Sequence, residues 1–249
     1  MTTDFHNSNF FKTAAQAYMV NFWTALGVAT ALVLLEWLTL VFNNAFGKYI
    51  APVMLIAYFA YAIHATILYG FTSGMSAWKD DKNSQKFMWR SVMFFGMFAV
   101  IAIALSFVGL GIGGTGDTGI SLAFILISTI GAPIFGAALV VWGTMLPATV
   151  AGEDTSFKAA WQRAKGHFGY AYLRLAIGPF LLGTALTAAG IGAVIAGLPV
   201  DILDQNGQFA PLGALSTLVI NMANLFITAL TASILCQTYL RGQNTAPAP

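Results

Sequence analysis

Charged residues are scarce in this chain of 249 residues. Asp, Glu, Lys and Arg together make up 8% of it, whereas they make up about a quarter of an average soluble domain. Hydrophobic residues account for 58%, and the mean hydropathy is +0.76. The composition is therefore that of a membrane protein, and a net charge of +2 is too small to indicate a nucleic-acid-binding protein.

Cysteine and histidine are also rare. The single Cys236 excludes a disulfide framework or a thiolate metal cluster within one chain. Of the three histidines only His64 lies in a long apolar stretch, and metal or haem ligation in a helical bundle needs several ligands close together. The sequence therefore predicts no metal and no cofactor.

Common catalytic motifs are missing as well. The chain has no P-loop, no His-Glu-x-x-His and no Gly-x-Ser-x-Gly. Gly111, Gly113 and Gly116 match the spacing of a dinucleotide-binding loop, but they follow an apolar stretch instead of a strand, so we interpret them as a turn. The sequence predicts a protein that is not an enzyme.

Six long apolar stretches dominate the chain, at residues 19–43, 51–73, 89–112, 120–148, 171–198 and 212–240. Each has at least the roughly 20 residues that a helix needs to cross a bilayer. A helix is required because backbone groups in lipid must be paired within the segment, and these continuous runs lack the alternation of barrel strands. The predicted fold is an all-α bundle of six transmembrane helices.

Basic residues fall almost entirely on alternate connections between these stretches. Ten of the eleven Lys and Arg residues lie on one side, and only Lys48 lies on the other. Short basic loops are retained in the cytoplasm, so both termini should be cytoplasmic in a bacterial inner membrane. We predict an N-terminal cytoplasmic segment at 1–18, the bundle at 19–241 and a disordered tail at 242–249.

Amphipathic segments precede several of the stretches. From Phe157 to Phe168 apolar residues recur at helical spacing, and Ser156 just before them is a good N-cap residue. We expect this helix to lie in the membrane interface, where Lys158, Arg163 and Lys165 contact lipid headgroups.

The N-terminal segment repeats this pattern. With Phe11 aligned on Phe157, five of twelve positions agree, and the stretch 83–87 has the same order of cap, polar run and aromatic residue. Either the chain contains three helix-hairpin repeats, each a short surface helix followed by two spans, or the agreement is chance in a chain rich in Ala and Phe.

Glu36 is the most unusual residue of the first stretch. It lies seven residues from the outer end, roughly 10 Å deep at 1.5 Å per residue. A carboxylate there should face the bundle with a partner such as Tyr58 or Tyr61 at matching depth, with His64 about two turns deeper. It is either a structural acid or a proton carrier.

The last stretch carries a polar stripe at Thr217, Asn221, Asn224, Thr228 and Thr231. The stripe either joins helices by hydrogen bonds or lines a polar path. Asn221 and Asn224 complete the candidate intramembrane polar site with Glu36, Tyr58, Tyr61 and His64.

The fifth stretch is rich in small residues. Gly183, Gly190 and Gly197 are a heptad apart, a spacing that lets another helix approach closely, so they are candidates for self-association or for contact with another subunit. Pro133 and Pro179 are expected to kink the fourth and fifth stretches.

Three segments resemble parts of a known group of membrane proteins. They are Phe157-Lys158-Ala159-Ala160-Trp161-Gln162-Arg163-Ala164, the Phe11-Lys12 pair before the first stretch, and Tyr239-Leu240-Arg241 at the end of the last stretch. The chain resembles bacterial six-helix inner-membrane proteins that include the membrane domain of some glycerophosphoryl diester phosphodiesterases. The resemblance implies fold and location only, because no phosphodiesterase domain is present to receive that family's catalytic residues.

These features favour a non-enzymatic accessory or scaffold protein of the inner membrane that acts through helix and lipid contacts. Its expected partners are membrane lipids and membrane subunits, including further copies of itself, and not nucleic acid. The alternative is a small transporter or channel with a polar path past Glu36, Tyr58, His64, Asn221 and Asn224.

Overall fold

The computed structural model describes residues 9–42, 45–70, 81–114, 116, 122–123, 125–199, 201–203 and 207–244. The helices are α1 (Phe10–Val20), α2 (Phe22–Phe42), α3 (Ala45–Tyr69), α4 (Asp81–Gly113), α5 (Ala132–Trp142), α6 (Met145–Ala151), α7 (Phe157–Lys165), α8 (Phe168–Leu175), α9 (Leu181–Ile195) and α10 (Pro211–Asn244). Two five-residue π-helical segments, Ile127–Gly131 and Ala176–Phe180, precede α5 and α9.

The prediction of an all-α bundle with six membrane-spanning helices is confirmed. Among the described residues, six helical stretches are long and apolar enough to cross a membrane: Phe22–Phe42, Ile50–Tyr69, Lys82–Gly113, Ile127–Ala151, Phe168–Ile195 and Pro211–Gln243. They are called the first to sixth spans below. Parts of the predicted topology rest on residues that lie outside the described ones. These are the side chain of Lys48, Lys79, Asp117, residues 1–8 and the tail from 245.

The N-terminal helix α1 packs into the bundle instead of standing apart as a surface helix. The Ser233 hydroxyl donates to the Phe10 carbonyl at 3.1 Å, and the Tyr18 hydroxyl donates to the Met222 carbonyl at 3.0 Å. Farther along, α2 places Val33 in a cluster with Ala214. Helices α1 and α2 therefore run antiparallel to α10 along most of its length, with a break only at Asn21.

Small residues explain this position of α1. Ala14 and Ala17 are fully buried, so the backbone of α1 approaches its neighbours closely, while Lys12 and Gln16 stay exposed on the other face. An amphipathic pattern fits a helix surface as well as a membrane surface. The helix expected at 83–87 is also not separate, because it forms the first turns of α4. In the part of the chain that the structure describes, short helices precede the spans of the first and third predicted units, and the repeat stays a prediction.

One end of the bundle carries most of the described basic residues, and we call it the basic end. There α6 is buried along almost its whole length and Gly152, with φ of 72°, ends it in a left-handed turn. Helix α7 follows, capped by the Ser156 hydroxyl, which accepts from the Ala159 N–H at 3.2 Å. A Cβ at Gly242 would lie 2.6 Å from the Arg163 carbonyl oxygen, so glycine lets the end of α10 contact the α7 backbone.

Candidate functional site

The predicted intramembrane polar site does not assemble around Glu36. Its side chain is exposed and makes no hydrogen bond with another described residue, and Asp201 is the nearby charge that acts on it. The expected contact with Tyr58 or Tyr61 is therefore wrong. The reason is the way α2 and α10 are shifted along one another. The neighbouring Trp37 packs edge-on against Phe209, two residues before α10 begins, so Glu36 lies level with the start of the sixth span.

His64 and Tyr61 lie in the hydrophobic core. Both are 2% exposed, and the ring of Phe87 on α4 meets each of them edge-on, at 5.2 Å from His64 and 5.3 Å from Tyr61. The His64 Nδ1 atom is 2.8 Å from the Ala60 carbonyl, and because a carbonyl only accepts, Nδ1 is the donor of this hydrogen bond. The His64 Nε2 atom is buried and has no hydrogen-bond partner in the part of the chain that the structure describes. Tyr58 packs beside a separate cluster formed with α1, α2 and α10.

The Thr231 end of the polar stripe of α10 lies where the helices diverge. Leu235 is buried among α3, α4 and α6, whereas Thr231, one turn away on the same face, lines an open cleft. The Thr228 and Thr231 hydroxyls donate to carbonyls of their own helix, those of Asn224 and Ile227. These two residues therefore do not join helices. Asn221 is half-buried and Asn224 is exposed.

The cleft lies between the fourth and fifth spans, with α10 behind it, and has a volume of about 590 Å³. Small side chains lie among larger ones, such as Phe135, Tyr172 and Ile191, on both walls. On the fourth span they are Ser128, Ala132 and Gly136, and on the fifth span they are Gly183, Thr184, Thr187 and Ala188. The cleft is thus mostly apolar, with a few hydroxyl groups on its walls.

A π-helical segment lies on each wall of the cleft. Pro133 follows the first segment closely and Pro179 lies inside the second. Proline lacks an N–H and clashes with the carbonyl four residues earlier, so the helix widens at these positions. A π-helical segment accompanies each proline on the two walls where the spans separate, and the kinks expected at these prolines stay a prediction.

The three predicted headgroup-binding residues point in different directions. Lys158 and Lys165 are exposed on α7. Arg163 turns inward: its Nη1 donates to the Asp154 carbonyl at 2.9 Å and its guanidinium stands 5.5 Å from the centre of the Tyr239 ring. Burial lowers the pKa of Arg163 below its ordinary value, a shift that nearby Tyr239 and Glu153 oppose. Arg163 is therefore a packing residue that attaches α7 to the bundle.

The row of small residues on the fourth span was not among the predicted site residues. Ser128, Ala132 and Gly136 are four residues apart, which places them on one helix face. A row of small residues was predicted only in the fifth span, with its glycines seven residues apart. Of the predicted row there, Gly183 lines the cleft, Gly190 faces open space, and Gly197 lies past the end of α9 with φ of 70°.

Comparisons with protein-family models, with curated proteins and with solved structures found no match. The resemblance to the phosphodiesterase membrane domain stays a prediction.

Proposed function

We propose that this chain is a non-enzymatic accessory subunit of the bacterial inner membrane, which binds a transmembrane helix of a partner in the cleft between its fourth and fifth spans. The observation that supports this proposal is the pair of small-residue rows on the two cleft walls. Helix association in lipid depends on close backbone approach, and small residues permit it.

The chemistry of the walls favours a helix over an acyl chain. Ser128, Ala132 and Gly136 form a row with spacing four, and Gly183 and Thr187 form a second such row opposite. The hydroxyls of Thr184 and Thr187 donate to their own helix, at 3.0 Å and 2.9 Å, so they add no unpaired donor to an apolar surface. Helix α9 has no residue buried by its own chain, which leaves its cleft wall available to a partner.

We do not propose the transporter alternative. A polar path would need Glu36 and His64 to line one space, but Glu36 is exposed at the rim of the bundle and His64 is closed in against Phe87. The absence of enzymatic activity and the bacterial inner membrane as location are parts of the proposal that rest on the sequence.

Adjacent alanines on α9 provide a matched test. Ala188 lines the cleft, whereas Ala189 is exposed and does not line it. Ala188→Leu should narrow the cleft and release the partner, and Ala189→Leu adds the same volume elsewhere. We expect native mass spectrometry of protein purified in mild detergent to show a complex for the unmodified chain and Ala189→Leu, and the single chain for Ala188→Leu.

The measured mass also identifies the partner. A mass of two chains means that the helix in the cleft belongs to a second copy, and Gly190→Leu then tests whether the predicted row on α9 contributes. The proposal is overturned if both leucine variants keep the complex, or if the unmodified chain is isolated alone in all mild detergents.

A further inference from the structure

Asn224 carries a polar side chain in the middle third of the sixth span, which runs from Pro211 to Gln243. The side chain is exposed, and Asn221, one turn away, is half-buried. The Thr228 hydroxyl donates to the backbone carbonyl of Asn224 at 3.1 Å and not to its side chain. Within the described part of the chain, the carboxamide of Asn224 therefore has no hydrogen-bond partner.

Lipid cannot supply the missing partner. The hydrocarbon core of a bilayer has no hydrogen-bonding groups, and an amide without a hydrogen bond is costly there. Polar side chains inside spans accordingly face protein or a water-filled cavity. The exposed carboxamide of Asn224 is thus a sign that this face of α10 is covered in the membrane.

Asn224 lies on the same face of α10 as the cleft. Thr228 and Thr231 follow it by four and seven residues, so the three side chains lie above one another, and Thr231 lines the cleft. At 1.5 Å per residue, Asn224 is about 10 Å from Thr231 along the helix. In the other direction, Leu235 is buried in the bundle. A helix that occupies the cleft and continues along α10 would therefore cover Asn224.

The wall formed by the fourth span also offers polar groups without partners. Ser128 lines the cleft, and its hydroxyl makes no hydrogen bond with a described residue, whereas the threonine hydroxyls of the opposite wall bond to their own helix. The Ala132 N–H donates to the Ile127 carbonyl, and the next residue, Pro133, has no N–H. The Ser128 carbonyl thus lacks the donors that lie four and five residues farther on in other helical turns.

A carboxamide suits these groups, because it carries both a hydrogen-bond donor and an acceptor. We propose that the partner helix in the cleft carries an Asn or Gln near its middle, and that this carboxamide forms a hydrogen-bonded pair with the carboxamide of Asn224. The inference rests on the proposed function, since it names the chemistry of the helix that the cleft binds. Small residues allow the close approach, and the polar pair sets which helix binds and at what depth.

The stability of the complex tests this pair. Native mass spectrometry over a dilution series in mild detergent gives the dissociation constant of the complex for the unmodified chain and for two variants. Asn224→Leu keeps a side chain of similar size and removes its hydrogen bonds, and it should weaken the complex by about threefold to fifteenfold. Thr228→Val is the matched control on the same face, because its hydroxyl bonds to its own helix, and it should stay within about twofold.

Two further measurements separate the pair from a structural role. The thermal midpoint of the isolated Asn224→Leu chain should equal that of the unmodified chain, since the carboxamide has no partner among the described residues of its own chain. The sequence of the partner, identified by mass spectrometry, should contain an Asn or Gln in the middle third of a membrane-spanning helix. A partner without one overturns the inference.

The outcomes also distinguish this inference from the proposed function. If Ala188→Leu releases the partner but Asn224→Leu leaves the dissociation constant unchanged, a helix occupies the cleft without bonding to Asn224, and only this inference is overturned. The same holds if Thr228→Val weakens the complex as much as Asn224→Leu. If Ala188→Leu and Ala189→Leu both keep the complex, the proposed function is wrong and this inference is overturned with it.

Discussion

His64 is a buried polar residue whose structural partners do not account for all of its polar atoms. Among the described residues its Nε2 has no hydrogen-bond partner, and its Nδ1 bonds only to a carbonyl of its own helix. A buried polar atom without a partner costs about 1–3 kcal/mol of stability. His64 therefore lowers the free energy of unfolding, a cost that is explained if the residue has a function.

We predict that His64→Leu keeps or raises the thermal midpoint of unfolding, because an apolar side chain of similar size removes the unpaired nitrogen. The measurement is thermal unfolding in detergent followed by circular dichroism. Tyr61→Leu, at a neighbouring position with the same 2% exposure, is the control and should lower the midpoint because it leaves a cavity against Phe87. A midpoint lowered as much by His64→Leu would show that the ring has a stabilising partner.

Glu36 illustrates how far the sequence can describe single residues in this chain. Its place in an apolar stretch was correct, since α2 runs from Phe22 to Phe42. The direction of its side chain and its level relative to α10 were not predictable, because both depend on how the helices are shifted along one another. The predicted headgroup contact of Arg163 also depended on such packing. Its spacing on α7 grouped it with Lys158 and Lys165, but its side chain packs on Tyr239.

The carboxylate of Asp154 lies just before α7 and bonds to its N-cap residue, Ser156. The Ser156 N–H donates to Asp154 Oδ1 at 2.8 Å and the Ser156 hydroxyl donates to Oδ2 at 3.2 Å. These hydrogen bonds lower the pKa of Asp154 below its ordinary value of 3.8. A carboxyl with a lowered pKa stabilises the folded state fully above that ordinary value, and the contribution is lost as the pH falls through the folded-state pKa.

We therefore predict that the difference in thermal midpoint between the unmodified chain and Asp154→Ala is constant from about pH 5 to pH 7 and shrinks below about pH 4. Thermal unfolding across this range measures it. Asp154→Asn is the matched control, because the amide oxygen still accepts the Ser156 N–H but does not titrate in this range. A difference that grows as the pH falls would contradict the assigned hydrogen bonds.

The existence of α7 and its cap could be predicted from Ser156 and the apolar spacing after it, and both are present. The predicted end at Phe168 is wrong, because α7 ends at Lys165, residues 166–167 form a turn, and Phe168 begins α8. What α7 contacts could not be predicted. Ala160 and Ala164 are buried against the bundle, while Trp161 is half-exposed. The periodicity of a short helix marks an apolar face, and it does not say whether protein or lipid covers that face.

At the scale of the whole molecule, the six spans follow from the thickness of the bilayer, which sets the length of every apolar stretch. Packing between the spans does not follow from the sequence, because lipid and a helix neighbour are equally apolar. The cleft between the fourth and fifth spans is the main feature of this packing that the sequence did not predict. It arises where the two walls distort at Pro133 and Pro179, and the prolines alone did not indicate its position.

We predict that the basic end faces the cytoplasm. Cysteine labelling of intact and opened cells checks this, with Lys158→Cys at the basic end and Gln208→Cys at the other. The natural Cys236 is fully buried, so it should give little background. Lys158→Cys should react only after the cells are opened, and Gln208→Cys should react in intact cells. The reverse pattern would invert the assigned orientation.

The pairing of α1 with α10 also sets the order in which the bundle can be completed. Phe10 and Ser233 are 223 residues apart along the chain, and Tyr18 and Met222 are 204 apart. At roughly 5–20 residues per second, a ribosome makes the second partner about 10–45 s after the first. During that time Phe10 and Tyr18 have no α10 to pack against. A nascent chain that stalls before residue 222 therefore contains five of its six spans and still lacks the partner of α1.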